Sequence, residues 1–355
     1  MNRRQFVKIA ALSGATFPLP AIVGRASAAG ETLYVADAGG AYTESYKKVI
    51  YTPFTASTGI DVVPVVRPAQ ALAQMKTMVE TQNYTFDVHG AAGLDEGVRY
   101  DAEGLSERIE LPRSIYDDLP DSIRNVPGFY PDSVAAFATV YRPLATKRDL
   151  KRVADIWDMS IPGVRSLRTG GRDNIEWALR ADGVPAGPAI INELKTKAGW
   201  ERAFRKLDEI KPKILTWWST APQSAQLLQA QEIDITATYA NRAATLIRQG
   251  ENLKVLWNEG YYTAYGYVIP KGNPKVHLVQ KLIEFSLDPK RQAALASELM
   301  QGSASKSAFE FIDKKVLEYV PTQPDNFKQM VPLDVAFWGE NLTKSNELFN
   351  QWLVK

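Results

Sequence analysis

The sequence predicts an α/β fold in two lobes, and three observations predict it. Between residues 32 and 90, apolar runs of strand length alternate with helix-periodic stretches. That β-α-β-α-β order is the pattern of a parallel sheet. The same alternation starts again near residue 155 and runs to about residue 250. The chain, 355 residues with 45% hydrophobic and 23% charged side chains, is long enough for two domains of ordinary size.

In chain order, "TLYVA" (32–36) reads as a buried strand and "DAGGAY" as a glycine turn. A helix follows with Tyr46, Val49 and Ile50 on one side; Pro53 marks an interruption or restart, and Gly59 closes the unit. "IDVVPVV" (60–66) is the second strand. Residues 69–82 form a helix, because Leu72, Met75, Met78 and Val79 fall near helical spacing. "FDVHG" (86–90) is the third strand, and "SVAAFATVY" (133–141) is a further apolar run. In the second unit "VRSLR" is a strand, "TGG" a turn, and Arg172 to Ala181 a helix ended by Gly183. Residues 191–210 read as one long helix and "KILTWW" as a strand. "STAPQSAQLLQAQ" is a turn and helix, with Ser219 or Thr220 as cap and Pro222 in its first turn. "IDITATYA" alternates, placing Ile233, Ile235, Ala237 and Tyr239 on one face. "NRAATLIRQG" is a helix ending at Gly250, and "AYGYVIP" (264–270) is a strand. From Pro274 the chain is mainly helical, with a break at "EYVPTQPDNF". This divides it into lobe 1 (29–139 and 265–312) and lobe 2 (140–264), joined near 138–142 and 262–267. Residues 313–355 then pack across both lobes.

The first 28 residues have a basic start (Arg3, Arg4, Lys8), an apolar middle and Ala26-Ser27-Ala28 as an A-x-A site. They read as an export signal. "NRRQFVK" resembles a twin-arginine motif, the alternative being an ordinary secretory signal. Pro18 and Pro20 interrupt the apolar run, which argues against a retained membrane anchor. The segment holds four cations and no acid, so its removal takes the formal net charge from +2 to −2. No basic stripe points to nucleic acid, and no later apolar run is long enough to span a bilayer.

With no cysteine, disulfides and thiolate chemistry are excluded. The two histidines, His89 and His277, lie far apart and supply neither a His-rich zinc site nor a recognisable triad. No metal or other cofactor is implied. What the sequence does offer is four turns between a strand and a helix start: "ADAGGAY", "LRTGGRDN", "TWWSTAPQ" and "TYANRA". Ligands of open α/β sheets bind beyond the carboxyl ends of strands, where free N–H groups favour oxyanions.

The export signal, "GGAYTESYKKVIYTPFTASTGIDV", "FDVHG", "EWALRADG", "WWSTAPQSAQLLQAQEIDITATYANRAA" and "YVIPKG" occur in this order. Together they resemble a periplasmic solute-binding protein of the polyamine (spermidine/putrescine) type, with the type II two-lobe fold and a ligand cleft between lobes. The resemblance covers nearly all of the chain after residue 28. It implies a non-enzymatic protein, monomeric and periplasmic, that closes on a small-molecule solute. It implies delivery to an inner-membrane ABC permease, with a chemoreceptor as a further partner. It implies Gly39, Gly40 and Tyr42 in the first lobe's ligand turn, and Trp217 or Trp218 as an aromatic wall. It also implies Tyr239, Asn241 and Arg242 in a turn of the second lobe, and Tyr262 or Tyr265 at the hinge. "TGGRDN", with Gly170, Gly171, Arg172 and Asp173, matches a segment where polyamine binders carry carboxylates.

That last segment departs from the pattern. Polyamine sites need several acids and aromatics for ammonium groups, yet Asp173 is the segment's one acid and stands beside Arg172. A glycine-rich, arginine-bearing site suits an oxyanion. The expected solute is therefore a small amine that also carries an acid group, such as a γ-amino acid, an opine-like compound or an aminophosphonate, with polyamines as the alternative. Two other readings compete. Tyr261, Tyr262, Tyr265 and Tyr267 could bind ferric ion through phenolates. A carboxylate pair such as Asp95/Glu96 or Asp117/Asp118 could serve an exported hydrolase. Trp157, Trp177, Trp200 and Trp257 read as packing residues.

Overall fold

The structure is a computed structural model that describes residues 31–67 and 71–355. The export-signal reading of residues 1–28 and the first two residues of the helix expected at 69–82 lie outside the described residues. Eight principal strands form one sheet. They are β1 (Thr32–Asp37), β2 (Asp61–Val66), β3 (Val88–Gly93), β4 (Phe129–Tyr141), β5 (Arg165–Arg168), β6 (Ile214–Trp218), β7 (Ile235–Tyr239) and β8 (Lys254–Pro270). Their order is β2-β1-β3-β8-β4-β7-β5-β6.

The pairing explains the two-lobe architecture. β1 runs parallel to β2 and β3, and β5 runs parallel to β6 and β7. These two parallel half-sheets are joined by the long antiparallel pair β4 and β8, which reach the halves through β3–β8 and β4–β7. One apolar cluster takes Phe129, Val134 and Ala136 from β4 and Tyr262, Ala264 and Tyr267 from β8. The other takes Phe137 and Tyr141 from β4 and Tyr261 from β8. On β4 the change from one core to the other falls between Ala136 and Phe137; on β8, Tyr261 of the second core stands between Trp257 and Tyr262 of the first. Their register slips twice, between Pro131 and Ser133 and between Phe137 and Thr139. Gly266 sits at the first slip because a Cβ there would lie 2.2 Å from the Tyr130 carbonyl oxygen, inside van der Waals contact.

Four helices frame the site: α1 (Gly40–Tyr46), α2 (Leu94–Ala102), α3 (Gly171–Ala181) and α4 (Val335–Leu353). The C-terminal α4 packs against both α3 and α2. Most expected elements are present, with three differences. The helix through Pro53 does not break. It widens to a π turn over Lys47–Tyr51, and Pro53 then occupies the first turn of Thr52–Thr58, where a missing N–H costs least. The helix expected over 191–210 is two, Pro188–Leu194 and Lys197–Ile210. Thr196 divides them, its hydroxyl accepting from the Gly199 N–H at 3.0 Å, a cap that competes with continuing the helix. The strand expected at 264–270 is the end of the 17-residue β8. Thr220, rather than Ser219, caps the helix Ala221–Gln229.

Candidate functional site

A cavity of about 430 Å³ opens where the half-sheets, the crossing strand β8 and helix α4 meet. One wall is built on β5 and α3. β5 ends at Arg168, Thr169 and Gly170 make the turn, and α3 begins at Gly171. Asp173 is 5% exposed. Its Oδ2 accepts from Arg168 at 2.7 Å, and its Oδ1 accepts from Arg172 Nε at 2.9 Å and from the Tyr261 hydroxyl at 2.6 Å. Burial alone would raise the Asp173 carboxyl. The two guanidiniums and the hydroxyl override it and hold the group below the usual carboxylate range. Arg172 also donates to Tyr261 Oη at 3.3 Å. Arg168 lies over the Tyr239 ring, 5.8 Å from its centroid. The Asn174 amide ties the turn by donating to the carbonyls of Arg168 and Gly170.

The opposite wall is built on β2, β3 and α2. Arg67, just past β2, pairs with Glu96 and donates to the Ala91 carbonyl at 3.2 Å. Glu96 also accepts from the Gly93 N–H at 2.8 Å. Burial raises the Glu96 carboxyl, with Arg67 and that N–H opposing. Asp95 and Arg99 complete this wall. Beneath it His89 is fully buried, its Nδ1 3.2 Å from the Tyr100 hydroxyl. Burial first, then the Arg67 charge, push His89 down to about 3. Tyr261, Thr263 and Tyr265 of β8 lie between the walls, and Leu333, Leu342 and Asn346 come from the C-terminal segment.

The cavity brings together Gly170, Gly171, Arg172, Asp173, Tyr239 and Tyr265. The other residues singled out in the sequence lie elsewhere. Gly39 precedes α1, with its N–H on Asp37 Oδ1 at 3.0 Å, and Gly40 opens that helix. Tyr42 stacks on Tyr46 at 4.3 Å. Trp218 is fully buried, its indole donating to Thr236. Trp217 packs edge-on against Phe349 and Trp352. Asn241 reaches the Leu299 carbonyl at 3.5 Å, and Arg242 carries a buried Nε without a partner. Tyr262 packs on Phe327 at 4.3 Å. Strand alternation explains the split at β8: Tyr261, Thr263 and Tyr265 share one face and Tyr262 points the other way. That parity was a signal in the sequence for adding Tyr261 and Thr263 to Tyr265. Arg168 lies within the turn "LRTGGRDN"; Arg67, Arg99, Leu342 and Asn346 had no such signal.

A larger groove, about 1160 Å³, lies between the helices Pro188–Leu194 and Lys197–Ile210 and the end of α4. It is lined by Trp200, Phe204, Leu348 and Trp352 under a lysine-rich rim. It lies at neither the strand ends nor the crossing strands. The smaller cavity has both features and converging charges. Among the described residues no His, Asp and Glu group is arranged to hold a metal, and no helix is long and apolar enough to cross a membrane.

Comparison with known proteins gives this geometry a context. Residues 50–320 match the family model for bacterial extracellular solute-binding proteins. The gamma-aminobutyric acid-binding protein of Pseudomonas aeruginosa is 30% identical over 341 residues, covering 94% of each chain. Among solved structures, an ABC transporter substrate-binding protein from Bradyrhizobium japonicum is 26% identical, covering 91% of this chain and 99% of that one, with a TM-score of 0.77. A GABA receptor structure matches at a TM-score of 0.79 and 24% identity, covering 92% of this chain and 98% of that one. These neighbours share the fold built here from paired half-sheets, and the chain belongs to the bacterial extracellular solute-binding protein family.

Proposed function

We propose that this chain captures a small amine that also carries an acid group, a γ-amino acid such as γ-aminobutyrate, and delivers it to the permease of an ABC importer. One observation carries the reading. The cavity holds four guanidiniums against three carboxylates, and the most buried carboxylate, Asp173, is already bound by Arg168, Arg172 and Tyr261. A polyamine needs carboxylates to spare, whereas this wall has a spare positive charge. The acid end of the solute lies against Arg168 and Arg172, where charge-assisted hydrogen bonds are strong. The ammonium lies against Asp95, which has no ion-pair partner among the described residues. The name of the Pseudomonas relative agrees with this solute class.

The reading assigns no catalytic step. The change of apolar cluster on β4 supports lobes that part near Ala136–Phe137, and closure bends the crossing strands there. On this reading the protein is exported through residues 1–28, with the Arg3-Arg4 pair as a twin-arginine motif, and works in the periplasm as a monomer. Titration calorimetry with γ-aminobutyrate, 2-aminoethylphosphonate, putrescine and spermidine tests the reading. Heat from the two zwitterions and none from the diamine supports it. Heat from polyamines alone overturns it and restores the polyamine type.

A further inference from the structure

Asn346 reaches the cavity from α4, outside both ligand walls. Its Oδ1 accepts from the Gly171 N–H at 2.9 Å, at the first turn of α3. Only an oxygen can accept from an N–H, so this contact fixes which way round the carboxamide sits. The amide Nδ2, with two N–H donors, is left without a protein partner, and Asn346 is half-buried at the cavity edge. The approach of α4 is close. A Cβ on Gly171 would lie 2.1 Å from the Ser345 carbonyl oxygen, so only glycine at position 171 lets α4 sit against the start of α3. α4 in turn packs against α2 on the opposite wall, which holds Asn346 at the junction of all three elements.

We propose that Asn346 determines specificity: its oriented Nδ2 donates to the acid group of the solute, so the C-terminal helix supplies a third point of recognition beside Arg168 and Arg172. This rests on the solute reading above. It also assigns chemistry to the tail, because a donor there favours an acid end and offers nothing to an ammonium, which needs an acceptor.

The test is the near-isosteric Asn346→Asp. One carboxylate oxygen still accepts from Gly171, and the negative charge suits the N-terminus of α3. The other oxygen replaces the donor with an acceptor of like charge to the solute's acid group. Calorimetry is expected to show γ-aminobutyrate binding about tenfold weaker or worse, the loss of a charge-assisted bond, and putrescine binding stronger than in the wild type. Asn346→Ala is the second variant. It removes the donor without adding charge, and it too is expected to weaken γ-aminobutyrate by about tenfold. If Asn346 only caps α3, N346D keeps that cap and binds γ-aminobutyrate as the wild type does, which overturns the proposal. N346A with unchanged affinity overturns it equally. A wild-type chain that binds γ-aminobutyrate beside unaffected variants leaves the solute reading intact. A wild-type chain that ignores γ-aminobutyrate overturns both.

Discussion

The two walls of the cavity handle charge in opposite ways. On the α3 side one carboxylate serves two cations: Asp173 holds Arg168, Arg172 and the Tyr261 hydroxyl at once. On the α2 side Arg67 and Glu96 pair, but the groups behind them lack counterions. His89 is buried with its Nε2 unpartnered. On β4, against Tyr46 of α1, Asp132 is 1% exposed and accepts from the Tyr46 hydroxyl at 2.7 Å and the Ser133 hydroxyl at 3.1 Å, with no cation beside it among the described residues. Asp173 has three side-chain partners where Glu96 has one and a backbone N–H, so the α3 wall is the more firmly preorganised. On β3 and β4 burial favours the neutral forms of His89 and Asp132, which ties stability there to pH.

The largest expected effect comes from breaking the α3 network at its centre. Asp173→Asn leaves Arg168 and Arg172 facing each other without the carboxylate. Removing one partner of a buried pair costs about 3–5 kcal/mol. Arg168 keeps 30% side-chain exposure and Arg172 16%, which places this variant at the low end. Urea unfolding with a stability loss near 3 kcal/mol would support the contrast between the walls. A loss under about 1 kcal/mol, the range of a surface pair, would remove it.

Arg172→Met sharpens the same contrast at the level of binding. It leaves Asp173 with Arg168 and Tyr261, so the fold is retained, and it removes one guanidinium from the anion's side. Hydrogen bonds to charged groups are worth about 1.5–3 kcal/mol, so γ-aminobutyrate is expected to bind roughly 10- to 100-fold more weakly. Arg242→Met is the control. Arg242 lies outside the cavity lining, and its variant is expected to bind as the wild type does. Equal losses from both would mean that the α3 wall holds no special position.

The groups buried on β3 and β4 are tested by pH. Burial raises Asp132 to about 7, with the Tyr46 and Ser133 hydrogen bonds opposing. The folded state therefore holds a proton that the unfolded chain releases near pH 4. Stability from this group is full below that pH and falls as pH rises through about 7. His89 has the opposite sign. Its folded value is lowered to about 3, so between that value and the unfolded one near 6.5 the unfolded chain binds more protons. Stability from His89 is present above pH 6.5 or so and is lost as pH falls toward 3. Each slope is at most about 1.4 kcal/mol per pH unit, and across pH 4–6.5 they oppose. The wild-type urea midpoint is expected to change little there. Asp132→Asn should leave a midpoint that rises with pH, and His89→Gln one that falls. Parallel profiles for both variants would show that these buried groups are not the source.

How much of this was legible in the sequence follows from the same physics. The half-sheets were partly legible: apolar or alternating runs mark β1, β2 and β7, of which β1 and β7 are largely buried, whereas β5 is the polar stretch Arg-Ser-Leu-Arg. The α3 wall was partly legible, because Arg172 and Asp173 open a helix directly after a glycine turn. The α2 wall was not, since Arg67 and Glu96 are 29 residues apart and meet only because β2 and β3 flank β1. Asn346 was hidden for the same reason, its partner Gly171 lying 175 residues away. The resemblance implies Tyr262 or Tyr265, and strand parity, which puts the two on opposite faces, leaves that choice to the structure. A strand that carries tyrosines on both faces, Tyr261 and Tyr265 on one and Tyr262 on the other, does not reveal from composition which face meets the cavity.

The smallest effect concerns the paired tryptophans at the end of β6. Alternation puts Trp217 and Trp218 on opposite faces, and both faces are covered. Trp218 lies beneath the sheet's partners, with Phe137 6.5 Å away between ring centroids. Trp217 meets Phe349 and Trp352 of α4 at 5.4 and 5.7 Å. An aromatic wall for the solute is therefore not what Trp217 builds here. It anchors the end of the helix that carries Asn346. Trp217→Phe keeps an aromatic edge for Phe349 and loses part of the Trp352 contact, worth about 1 kcal/mol. The expected result is that modest loss in urea unfolding with γ-aminobutyrate affinity within about twofold of wild type, against the tenfold expected where a charge-assisted bond to the solute is lost. A tenfold loss of affinity from Trp217→Phe would mean that its ring reaches the solute on closure. The recognition surface would then extend along β6 beyond the cavity between the two walls.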